Sequence, residues 1–97
     1  MSDNMTKKAI ILHPDDNVAT VLEKLEEGTE IEIEKQNKLI EKIVTTKKIP
    51  FLHKIALIDI SKGAPVIKYG QIIGKATMDI KKGDHVHTKN LVSWFYS

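Results

Sequence analysis

Ile60-Ser61-Lys62-Gly63-Ala64-Pro65-Val66 returns twenty residues later as Ile80-Lys81-Lys82-Gly83-Asp84-His85-Val86, with the isoleucine, the second lysine, the glycine and the valine in register. Each copy reads as the end of a strand, a glycine turn and the start of the next strand, because glycine is the residue that reverses the chain at no steric cost. Leu25-Glu26-Glu27-Gly28-Thr29-Glu30-Ile31 has the same spacing. That third copy is expected to enter its turn from a helix, which leaves two related β turns, too few for a solenoid array.

Working outward, Ile55-Ala56-Leu57-Ile58, Val66-Ile67-Lys68-Tyr69, Ile72-Ile73-Gly74-Lys75-Ala76, His85-Val86-His87 and Leu91-Val92 are short strand candidates separated by Gly and Pro turns. Upstream, Lys8 to His13 holds the apolar run Ala-Ile-Ile-Leu and stops at Pro14, which cannot donate to a ladder. A helix is expected over about residues 17 to 27. Val18, Val21, Leu22 and Leu25 recur at helical spacing, Asp15, Asp16 or Asn17 can cap the first turn, and Gly28 ends it. Thr29 to Glu34 alternates with period two, as a strand with one buried face does. Residues 35 to 48 are expected to be a mobile or mixed connection, since Leu39, Ile40, Ile43 and Val44 fit a helical stripe while Ile-Val-Thr-Thr favours strand. The expected fold class is mainly β with one helix, in one domain over residues 1–97, with residues 1–7 as a disordered tail.

Composition narrows the function. Ninety-seven residues bury only roughly 60% of the surface the unfolded chain exposes, so a large internal active site is not expected. Cysteine is absent, which excludes disulfides and thiolate metal sites, and Met1 to Lys8 has no apolar signal region. No apolar run approaches a membrane span, and the expected location is the cytoplasm, with no membrane partner. Charge is divided unevenly: residues 1–46 carry six Lys against ten Asp or Glu, net −4, and residues 47–97 carry nine Lys against three Asp, net +6. The C-terminal half therefore favours an anionic partner. All fifteen cations are Lys, which lack the bidentate fork that reads guanine edges, so no nucleic-acid partner is expected.

Three polar clusters lie in that half. His85 and His87 are two apart, so on a strand both imidazoles project from one face, close enough to share a ligand or a metal with a third group. His53 sits beside Lys54 where a turn becomes a strand, and Lys68 precedes a tight turn at Tyr69-Gly70, free to reach an anion. His13 stands before the expected helix N-terminus, where free N–H groups attract carboxylates. Trp94-Phe95-Tyr96 reads as a core or subunit contact. No Ser-His-Asp arrangement, phosphate loop or paired glutamates can be recognised, so catalysis by this chain alone is not expected.

His13-Pro14-Asp15-Asp16-Asn17-Val18-Ala19, Pro50-Phe51-Leu52-His53-Lys54-Ile55-Ala56-Leu57, Val66-Ile67-Lys68-Tyr69-Gly70-Gln71-Ile72-Ile73-Gly74 and Val86-His87-Thr88-Lys89-Asn90 together resemble the N-terminal SAF domain of altronate and galactarate dehydratases. The chain differs at Leu52, where many such proteins have Gly, and at Lys89, where they have His. The resemblance implies a β-clip fold and a role as the small subunit of a sugar-acid hydro-lyase, as in the two-chain form of sulfolactate sulfo-lyase. It implies a separate large catalytic subunit, a divalent metal (iron or manganese) in the complete enzyme, a small sugar-acid substrate and room for homo-oligomers. On the same grounds His53, His85 and His87 are the expected catalytic residues, His85 and His87 the expected metal ligands, and Lys54, Lys68, Tyr69, Asn90 and His13 the expected substrate contacts. The alternative class is a stand-alone, non-catalytic β-clip module that binds an anionic carbohydrate or protein.

Overall fold

The three Gly turns are one device used three times. In a computed structural model, which describes residues 7–93, Ile60 and Ile80 bond each other reciprocally, N–H to C=O in both directions at 2.8 Å. Gly63 N–H then reaches Ala76 C=O at 2.8 Å, and Gly83 N–H reaches Ala56 C=O at 2.9 Å. Asp79 accepts from Lys62 N–H and Asp59 accepts from Lys82 N–H, so the two copies embrace about a local pseudo-twofold. The third copy makes the same bonds with a different partner. Leu25 pairs reciprocally with Ile49 at 2.8 Å, and Gly28 N–H reaches Thr45 C=O at 2.8 Å.

Nine strands appear among the described residues: β1 Lys8–Ile10, β2 Val18–Val21, β3 Glu30–Lys35, β4 Lys38–Val44, β5 Lys54–Ala56, β6 Pro65–Lys68, β7 Gln71–Ala76, β8 His85–Val86 and β9 Leu91–Ser93. One sheet has the order β4-β3-β1-β2-β5-β8 and the other β6-β7-β9. Only β1 and β3 run parallel among these pairs; the rest are antiparallel. The period-two reading of residues 29–34 holds, with Ile31 and Ile33 fully buried. Ile31, Ile33, Leu25, Ile49 and Ile55 anchor one core cluster. A second, built on Val18, Ile60, Val66, Ile80 and Val86, packs under the paired Gly turns. The mainly β class is therefore the observed one, and a small β fold is what a β-clip requires.

The helix expected over 17 to 27 is a correction. Val18–Val21 is a strand between β1 and β5, and no helix occurs among the described residues. Val-Ala-Thr-Val is rich in β-branched residues, and a place inside a sheet satisfies both its backbone edges and its buried side chains. The expected caps serve elsewhere: Asp16 accepts from Gly70 N–H at 2.8 Å, while Asn17 accepts from Ile67 N–H and donates to the Pro65 carbonyl. These bonds tie the first loop to the β6–β7 hairpin. Gly28 does take the positive φ expected of it, at 81°, but to close a β turn.

Residues 35 to 48 are likewise ordered where a mobile or mixed connection was expected. β3 and β4 form a hairpin around Gln36-Asn37, with φ of 52° and 66°, the two left-handed residues of a tight primed turn. Leu39, Ile40 and Val44 are exposed on this edge strand, and only Ile43 of the apparent stripe is buried. Residues 1–6 of the expected tail and Trp94-Phe95-Tyr96 lie outside the described residues. Lys7, the remaining residue of that tail, accepts from Glu32 N–H at 2.9 Å.

Candidate functional site

The β5–β8 pair at the end of the larger sheet carries the imidazoles. Lys54 faces Val86 and Ile55 faces His85, so residues on either side of the Lys54–Val86 pair share the face opposite to it. His53, His85 and His87 meet there. His53 Nδ1 and His85 Nε2 are hydrogen bonded at 2.8 Å, and the His85 and His87 rings stack with centroids 4.1 Å apart and planes 8° from parallel. The prediction that the 85/87 spacing places both rings on one face is met by this stacking.

Asn90 builds the turn that holds them. Its Oδ1 accepts from His87 N–H at 2.9 Å and its Nδ2 donates to His85 C=O at 2.8 Å, and the side chain is 8% exposed. The residue expected to orient a substrate hydroxyl thus has its amide engaged at both ends by the backbone of the histidine segment, and it acts as a positioning residue.

Burial is the leading cause that lowers the pKa of His85, to about 4, with His87, His53 and Lys54 adding repulsion. His87 is lowered as well, by burial first and then by Lys89, His53 and Lys54. His85 is therefore neutral at pH 7, and burial disfavours the charged form of His87 as well. The 2.8 Å contact requires one of the two facing nitrogens to be unprotonated, which a neutral His85 supplies. A ring with a pKa near 4 is a weak base, so His85 is suited to donate and accept hydrogen bonds rather than to abstract a carbon-bound proton.

A metal does not fit this arrangement. Two ligands at about 2.1 Å from one ion need nitrogen lone pairs that converge on a point, whereas the His85 and His87 rings lie parallel and His85 Nε2 is already committed to His53. Among the described residues no group of three or more His, Asp or Glu side chains is disposed to hold an ion.

The lysines and His13 gather elsewhere. Lys54 and Lys68 are close enough that Lys68 adds to the burial that lowers the Lys54 pKa. Lys68 lies 5.1 Å from the Tyr69 ring centroid in the β6–β7 turn, where Tyr69 has φ 57°. His13 covers Gly70 of the same turn so closely that any Cβ there would meet its ring at 2.8 Å, and its Nδ1 accepts from Asp15 N–H. Residues 13, 68 and 69 thus gather at the β6–β7 turn, and Lys54 links them to the imidazoles, since it acts on Lys68 and on His85 and His87 alike.

Two lysines escaped the sequence reading. Lys47 and Lys48 line a groove of about 600 Å³ together with His85, His87, Lys89 and Asn90. The signal that would have found them is the third Gly turn: its return arm, Thr45 to Ile49, lies against the second, with Thr46 N–H bonded to Gly83 C=O at 3.0 Å.

The fold and this surface define a small β domain with three clustered imidazoles beside a groove lined in part by lysines. The chain belongs to the altronate/galactarate dehydratase SAF domain family, whose model it matches over residues 7–94. It is 47% identical over 81 residues to an altronate dehydratase of Escherichia coli (strain K12), covering 84% of this chain and 15% of that protein. It is 34% identical over 84 residues to an altronate dehydratase of Bacillus subtilis (strain 168), covering 87% and 16%. A (2R)-sulfolactate sulfo-lyase subunit alpha of Paracoccus pantotrophus is 50% identical over 42 residues, 43% of this chain and 63% of that subunit. The chain thus spans about a sixth of the length of the altronate dehydratases it matches. No helix among the described residues is long and apolar enough to cross a membrane.

Proposed function

We propose that this chain, acting as one domain, is the small subunit of a sugar-acid dehydratase of the altronate or galactarate type, completed by a separate large catalytic polypeptide. Supporting this reading, the matched region is a minor part of the altronate dehydratases but makes up 63% of a sulfo-lyase subunit alpha. The observation that carries it is the His53–His85–His87 cluster, held by Asn90 on a domain of this family.

Loss of water from a hydroxy acid needs a base for the proton beside the carboxylate, donors for the developing enediolate, and an acid or metal for the departing hydroxide. The imidazoles of this chain serve the second need. A neutral ring N–H donates to a hydroxyl or carboxylate oxygen without carrying a charge into the site. Lys54 and Lys68 offer a second cationic point, where a carboxylate would relieve their mutual repulsion. The base and the divalent metal belong to the large polypeptide, since His85 is too weak a base and the rings do not converge on an ion.

The test is turnover of the reconstituted pair with altronate and galactarate, comparing wild type with His85→Gln/His87→Gln. The variant should lose at least about a hundredfold in kcat, as expected when donors to a developing oxyanion are removed, while keeping wild-type circular dichroism. Unchanged kcat would remove the imidazoles from the site.

A further inference from the structure

The groove beside the imidazoles holds more positive charge than its own structure uses. Lys47, Lys48 and Lys89 line it and are exposed, and none of the three has an ion-pair partner among the described residues. Two carboxylates, Asp79 and Asp84, also line it, so three Lys against two Asp leave it at net +1; the carboxylates are held by the turns, Asp79 accepting from Lys62 N–H, and Asp84 from Lys81 N–H and from the Thr46 hydroxyl. Neighbouring cations are treated differently, as Lys82 is paired with Glu41 at 2.7 Å outside the groove. Lys54 and Lys68 do not line this groove. Its volume, about 600 Å³, lies within the usual range for small-molecule clefts.

We infer that this groove is an anion site in which Lys47, Lys48 and Lys89 hold the charged groups of a small hydroxy acid while His85 and His87 face its hydroxyls, and that the excess of ammonium over carboxylate charge selects a doubly charged acid over a singly charged one. The chemical class is a polyhydroxy dicarboxylate or its sulfonated equivalent. Coulomb attraction to each ammonium scales with the charge of the ligand, and partial enclosure limits screening by solvent. The inference rests on the reading of this chain as a sugar-acid-handling subunit for its choice of probes. Binding is read on this chain by itself, so its failure is separable from failure of the dehydratase reading, which is read as turnover of the pair.

The experiment is an NMR titration of the isotopically labelled chain with galactarate and, in parallel, gluconate, at one fixed ionic strength and pH 7. Galactarate should shift the amides of Thr46 to Lys48 and of His85 to Asn90 and bind about tenfold more tightly than gluconate, the size expected of a few partly screened ion pairs. Lys47→Gln/Lys48→Gln/Lys89→Gln should abolish that difference with the rest of the spectrum unchanged. Lys24→Gln/Lys38→Gln/Lys75→Gln removes the same charge away from the groove and should preserve it. Equal affinity for the two acids, shifts confined to residues outside the groove, no saturable shift with galactarate, or an equal loss in the distant triple variant would each overturn the inference.

Discussion

Gly63 and Gly83 occupy equivalent places in the two copies of the turn, and the structure assigns them different costs when a methyl group is added. Both have positive φ, 86° and 93°. Alanine at either site pays the left-handed strain of about 1 to 2 kcal/mol, partly offset by about 0.4 to 1 kcal/mol from the stiffer unfolded chain. For Gly63 nothing lies within 4 Å of the new Cβ, so Gly63→Ala should cost about 1 kcal/mol. At Gly83 the Cβ would overlap the Val44 carbonyl oxygen, closer than the 3.0 Å that real contacts respect, and would press on Thr46 Cγ2 at 3.3 Å. Relief would require the end of β4 and the return arm that follows it to retreat and weaken the Thr46 N–H to Gly83 C=O bond. Overpacking of that kind adds about 1 to 3 kcal/mol, so Gly83→Ala should cost about 3 kcal/mol in all. Urea unfolding followed by circular dichroism measures both. With a slope of about 1 kcal/mol per molar, Gly83→Ala should unfold about 2 M earlier than Gly63→Ala. Coincident midpoints would refute the claim that the return arm is packed directly on the second turn.

Three other predictions concern the site and its frame. His85, lowered to about 4 from 6.5, should make the protein less stable as pH falls from about 6.5 to 4, because the unfolded chain takes up a proton that the folded chain refuses; above 6.5 the contribution is constant. For a ring sealed from water the effect would be about 3 kcal/mol, and solvent access to this partly exposed ring reduces it to about 1 kcal/mol. It should vanish in His85→Gln, and imidazole NMR should show the midpoint near 4; titration near 6.5 would contradict the burial argument. Asn90→Ala leaves His87 N–H and His85 C=O without their partner and should cost about 1 to 3 kcal/mol while moving the stacked rings, which imidazole chemical shifts detect. Leu52, 54% exposed at φ 67°, is held in the left-handed region, so Leu52→Gly should stabilise the chain by about 0.5 to 1 kcal/mol in thermal unfolding, and a loss would show that its side chain packs usefully.

The strands that alternate or follow a Gly turn were legible because their signal is local: Ile31 and Ile33 face inward on period two, and the Gly63 and Gly83 copies align by eye. Val18 to Val21 misled because valine at spacing three is compatible with a helix, and the deciding facts, pairing with β1 on one side and β5 on the other, lie in residues far along the chain. Asp16 and Asn17 look like caps for the same reason, since short polar side chains before an apolar run serve either a helix end or a distant hairpin. That His85 and His87 share one face followed from strand geometry alone, and their stacking is what the structure adds. Contact with His53 required the β5–β8 register, and the position of Lys47 and Lys48 beside the groove depends on Leu25 to Ile31 closing a turn of the same kind as the other two. Asn90 reads as a ligand-binding amide in sequence, and its two backbone bonds show that it also braces the histidine segment.

The most direct test of the central claim is recovery of the tagged full-length chain from its native cells under gentle conditions, with the stoichiometry of any accompanying polypeptide measured and the isolated pair assayed for water loss from sugar acids. A larger dehydratase-like polypeptide should be recovered in near-equal amount, with turnover that depends on both chains. Recovery of this chain alone from cells that express such a polypeptide, or full turnover by the large polypeptide without it, would contradict the account and favour a stand-alone binding module.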